Sequence, residues 1–197
     1  MLPLTPQLLV STATAFAACR VIRQIQQADD RTAAETIRDD ASLRFVHFAG
    51  FWSHFTHHSS CSSWPLPLSP SIEELAEFAE ERRGLTPTPR AGDVFLLASP
   101  KSGRHVLAGI VAAVETVRTL LNGGPGFICT TIEGEVDVLD VGDVPPSLRM
   151  VRLVRRRLSP ALGDCFIRWS ELAAYSVPAA VENQIPEKLV RIRQRAA

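Results

Sequence analysis

The apolar positions of the chain follow two regimes, helical spacing up to Gly84 and extended alternation beyond it. Leu8, Leu9, Ala13, Phe16, Val21, Ile22 and Ile25 fall on one face of a helix that Thr5 would cap and Pro6 would open. Asp29-Asp30 and Asp39-Asp40 read as breaks on either side of a short polar helix over 33–37. The segment 45–58, dense in aromatic and histidine residues, predicts a buried helix, and 59–70, rich in Ser and Pro, predicts a loop. Ser71-Ile72-Glu73-Glu74 is a capping box, followed by an apolar face at Ile72, Leu75, Phe78 and Ala79 that stops at Gly84.

After Gly84 the alternation predicts strands over 93–98, 105–117, 127–132, 150–158 and 165–169, separated by Gly- and Pro-rich turns. Ser170 is placed to cap a short helix, and Pro186 to open a last one that ends among Arg191, Arg193 and Arg195. Helices followed by short antiparallel strands make an α+β pattern. The length of 197 residues suffices for one sizeable core without disulfide or metal staples.

Charge narrows the range of partners. With 21 basic and 21 acidic side chains the chain has no net field to draw a polyanion, so a nucleic-acid role is not expected. No apolar run is long and clean enough to predict a membrane span. The first residues lack a basic start and are interrupted by Pro3, Pro6 and Gln7, which favours a cytoplasmic over an exported chain. Cys19, Cys61, Cys129 and Cys165 form no C-x-x-C pair and read as mostly buried thiols. Nothing in the sequence sets the oligomeric state.

Four short motifs occur in a meaningful order. They are Trp52-Ser53 in the aromatic helix, Pro89-Arg90-Ala91-Gly92-Asp93 before the first strand, His105-Val106 with Gly109-Ile110-Val111, and Thr131-Ile132-Glu133-Gly134. Together they resemble the CHAP and NlpC-type cysteine peptidases and amidases. That family opens a buried helix with Trp-Cys and starts its second strand with His. The resemblance covers residues 50–134 and implies a papain-like fold, with N-terminal helices packed on an antiparallel five-stranded half-barrel. It divides the chain into an N-terminal helical segment (1–40), a CHAP-like domain (41–175) and a tail with a short helix (176–197).

The resemblance also implies a chemistry, hydrolysis of amide bonds in peptide or peptidoglycan fragments, without a cofactor. A nucleophile needs a neighbouring imidazole to take its proton, and a third polar group to fix the tautomer of that imidazole. Ser53 stands at the nucleophile position in place of Cys, His105 at the base and Glu133 at the orienting group, with Trp52 beside the substrate. Cys61 is the alternative nucleophile. A hydroxyl is harder to ionise than a thiol, so a non-catalytic module that keeps the groove is the alternative function.

His54, His57, His58 and Cys61 recur at intervals of three and four, a spacing that zinc accepts on a helix. Ser59 and Ser60 end that helix before Cys61, and no metal site is assigned. Asp93 is expected to bond backbone N–H groups at its turn, and Arg155-Arg156-Arg157 to guard an exposed strand edge. Trp64-Pro65-Leu66-Pro67 and Trp169 are expected to pack over the core.

Overall fold

The computed structural model describes residues 5–19, 26–28, 39–58, 66, 71–119, 125–136 and 148–172. Three helices, α1 (Pro6–Cys19), α2 (Asp39–His58) and α3 (Ile72–Glu81), lie on one face of an open sheet. The strands are β1 (Gln26–Ala28), β2 (Leu85–Thr86), β3 (Val94–Ala98), β4 (His105–Thr119), β5 (Pro125–Val136), β6 (Leu148–Leu158) and β7 (Cys165–Ile167). Their order across the sheet is β1-β6-β5-β4-β3-β7-β2. Six strands are antiparallel to their neighbours, and β1 adds parallel to β6 at one edge. The α+β class agrees with the sequence pattern, whereas the sheet is larger than the five strands expected and is open.

The helix starts follow from local chemistry. Thr5 Oγ1 accepts from Leu8 N at 3.2 Å and opens α1, and Ser71 Oγ accepts from Glu74 N at 3.2 Å and opens α3. At the end of α3 the left-handed turn falls on Arg83 (φ 56°), and Gly84 N–H closes on Ala79 O at 2.8 Å. Asp39 and Asp40 do not break the chain. They are the first two residues of α2.

Each face of the sheet carries its own core. Val94, Leu96, Ala108, Ile110, Ile132, Val151 and Ile167 meet the helices through Leu9, Phe45, Phe48, Leu75 and Ala79. On the opposite face Phe95, Leu97, Leu107, Val111, Phe127, Cys129, Leu158 and Phe166 pack together. Leu66 and Trp169 are buried as expected, and the Trp169 indole N–H donates to Gly92 O at 2.7 Å. Asp93 also behaves as expected, accepting from Arg90 N at 2.8 Å.

The arginine run of β6 corrects an expectation. β6 is not an exposed edge but lies between β1 and β5, and Arg156 is buried, 2 % exposed. Cross-strand partners share a face, so the pairs Cys129↔Arg156 and Glu133↔Arg152 bring both guanidinium groups to Glu133 on the face away from the helices. Arg155, on the other face, pairs with Glu115 at 2.7 Å.

One buried histidine makes the fold sensitive to acid. His47, on α2, is 1 % exposed, and burial lowers its pKa from 6.5 to about 4. The unfolded chain takes up this proton below its ordinary pKa while the folded chain resists it, so stability is full above that pKa and falls as the pH drops toward the folded value. The loss approaches about 3 kcal/mol. Urea unfolding at neutral and mildly acidic pH should show this loss, and His47→Gln should remove most of it.

Candidate functional site

His105 begins β4, and a one-residue bulge decides where its ring points. Leu97 pairs with Leu107 but Ala98 pairs with His105, so Val106 is the extra residue. Leu107 belongs to the core away from the helices. Without the bulge His105 would share that face. With it, His105 lies opposite Ala98 on the helix-facing side, where Leu96 also points.

Strand β7 supplies the neighbouring group. Leu96 pairs with Cys165, which puts the thiol on the same helix-facing side, across the end of β3 from His105. Cys165 Sγ lies 3.5 Å from His105 Nε2. The turn before β7 is fixed by Gly163 (φ 88°) and by Asp164, whose carboxylate accepts from Ser159 N at 2.7 Å and Ala98 N at 3.0 Å. This turn places Gly163 O 3.2 Å from His105 Nε2.

The third group comes from α3. Glu73, in its first turn, accepts from the His105 backbone N–H at 2.8 Å through Oε1 and sits 3.3 Å from Nδ1 through Oε2. The ring is 15 % exposed and the carboxylate 46 %. A carboxylate beside Nδ1 favours the tautomer with its proton there, which leaves Nε2 as a lone pair facing the Cys165 thiol. Burial, and then the charges of Asp164, Glu73 and Glu80, push that thiol up to about 12, so it rests as S–H and can donate to Nε2. When the ring is doubly protonated, Nδ1–H keeps Glu73 and Nε2–H finds Gly163 O. The site therefore accommodates both states of the imidazole.

The residues expected from the sequence are distributed differently. Ser53 falls in the second turn from the end of α2 rather than at its start; its Oγ donates to Ala49 O at 2.7 Å. On α2 it is Ser42, in the first turn, whose side chain bonds the His strand: its buried Oγ accepts from Ala108 N at 3.1 Å. That N–H is available because β4 and β5 start to pair at Ile110↔Ile132, one turn of the pleat further on. Trp52 is half-buried, its ring 5.8 Å from Phe48 and 5.9 Å from Phe16 between α1 and α2.

Glu133 is not brought to His105. It is fully buried, held by Arg156 through Nε and through Nη2 at 2.7 Å, by Arg152 at 3.3 Å, and by the Thr131 hydroxyl at 2.9 Å. Cys61 and the side chains of His54, His57 and His58 lie outside the described residues. The sequence pattern finds His105 but misses its two partners. Glu73 is hidden inside a capping box, and Cys165 opens a strand where its alternation with Phe166 reads only as packing.

No protein-family model matches the chain, and no curated protein or solved structure is significantly similar to it.

Proposed function

We propose that this chain is a divergent papain-like protein of the CHAP/NlpC type that hydrolyses amide bonds in peptide or peptidoglycan fragments. His105 is the proton shuttle, and Glu73, in place of Glu133, is the carboxylate that orients it. The observation that carries this reading is the His105 ring held at Nδ1 by Glu73, 3.3 Å away, with Nε2 turned to a thiol. A general base must offer a lone pair in a fixed direction and be stabilised once it is charged. Glu73 serves both needs, and Gly163 O serves the second.

The arrangement of α2 across β4 and β5, with a histidine at the start of a central strand, supports the papain-like half-barrel. The motif order that runs from the aromatic helix to Thr131-Ile132-Glu133-Gly134 supports the family. Glu133 then serves the interior of the sheet, and Ser53 the packing of α2.

A second reading, a binding module that keeps the groove without turnover, is favoured by one observation. Both α2 serine hydroxyls, on Ser42 and Ser53, are bonded to backbone groups. Incubation of the purified chain with defined muropeptides, followed by mass analysis, separates the two readings. New amine and carboxylate termini are expected. Binding of the same fragments without any cleavage would overturn the hydrolase reading in favour of the module.

A further inference from the structure

The geometry points to Cys165 as the nucleophile of the His105 centre, an inference that rests on the reading of His105 as a base. Among the described residues, Cys165 Sγ is the one nucleophilic side-chain atom within hydrogen-bond distance of the His105 ring, at 3.5 Å from Nε2. Cys165 is partly exposed, whereas Cys129 is buried in the core on the opposite face of the sheet. Strand pairing fixes the thiol: Leu96↔Cys165 aims it at the helix-facing side, and the bulge at Val106 brings His105 to that same side. Two independent features of the backbone thus converge on one contact.

The resting state shapes the mechanism. Burial and the surrounding carboxylates keep the thiol protonated, so the centre does not hold a preformed thiolate and imidazolium. The S–H proton passes to Nε2 as sulfur attacks the carbonyl carbon, and the C=O electron pair moves to oxygen. When the tetrahedral intermediate collapses, the C–N bond breaks and the leaving nitrogen takes the proton from Nε2, leaving a thioester on Cys165. Water then attacks this thioester, giving a proton to Nε2 and releasing the acid. The thiolate recovers its proton from the ring. Nδ1 stays protonated against Glu73 throughout. The nucleophile comes from an edge-side strand, β7, and not from α2.

The test uses the full chain and p-nitrophenyl acetate, an activated acyl donor that needs no substrate recognition. Peptide mapping after a short incubation is expected to find a hydroxylamine-labile acetyl thioester on Cys165. His105→Ala should slow its formation ~10²-fold, and Cys165→Ser, a near-isosteric change at a folded site, should remove it. No adduct at Cys165, or an adduct whose rate ignores His105→Ala, would overturn the inference. Muropeptide cleavage distinguishes this failure from that of the wider reading. Cleavage lost in His105→Ala but kept in Cys165→Ser overturns Cys165 alone, and cleavage kept in both variants overturns the His105 centre as well.

Discussion

Glu133→Ala is expected to destabilise the protein by about 3–5 kcal/mol, because it leaves a buried guanidinium without its counter-charge. Arg156 is 2 % exposed and both its Nε and Nη2 donate to Glu133, while its Nη1 has no partner among the described residues. Arg152 adds a second positive charge at 3.3 Å. Two cations share one carboxylate away from water, so removing the carboxylate costs far more than the pair itself contributes. In urea the midpoint should fall while the slope stays constant. Glu133→Gln should be nearly as damaging, since the amide keeps the shape but not the charge. A combined change of Glu133, Arg152 and Arg156 to apolar residues of similar volume should recover much of the loss. A Glu133→Ala variant within about 1 kcal/mol of the parent, the range of exposed ion pairs, would show that the network is solvated.

His105→Ala is expected to lower amide hydrolysis by ~10²–10⁴-fold, the usual contribution of a positioned general base. Glu73→Gln should cost less, because an amide oxygen can still accept from Nδ1–H but no longer stabilises the charged ring. The loss in both variants should appear in kcat/KM without a matching loss of folded stability, since His105 and Glu73 lie at the rim of the helix-facing core. Equal, small effects from both substitutions would indicate that His105 serves only to tie α3 and the turn before β7 to the start of β4.

The parts of this fold that the sequence makes legible are those set by local chemistry or by long alternation. The capping box at Ser71 and the cap at Thr5 act within one turn, so they can be read directly. Strands β3 to β6 announce themselves because several residues of each alternate between two faces. By contrast β1 and β2 are three and two residues long, too short for any period, and β1, Gln26-Gln27-Ala28, has no apolar alternation to mark it as a strand. Asp39-Asp40 has the composition of a break, yet the same carboxylates suit a helix start, and only the packing of α2 on β4 and β5 decides between them.

The site is legible only in part for a similar reason. A histidine at the start of an apolar strand is visible, but the bulge at Val106 depends on cross-strand register, which no local pattern carries. That single extra residue chooses between a ring buried with Leu107 and a ring facing Glu73 and Cys165. Glu133 illustrates the reverse case. Its place in a family-like motif suggests catalysis, while the register Cys129↔Arg156 and Glu133↔Arg152 commits it to two arginines of a run that looks like surface charge.

Nitrogen-15 NMR of the His105 imidazole reads out whether Nε2 is bare. The neutral ring is expected to show a protonated Nδ1, bonded to Glu73, and an unprotonated Nε2 that accepts from Cys165. Substituting Glu73 should weaken that preference. A neutral ring protonated at Nε2 and donating to Gly163 O would rule out His105 as the base, because such a ring has no lone pair there with which to take a proton from the thiol.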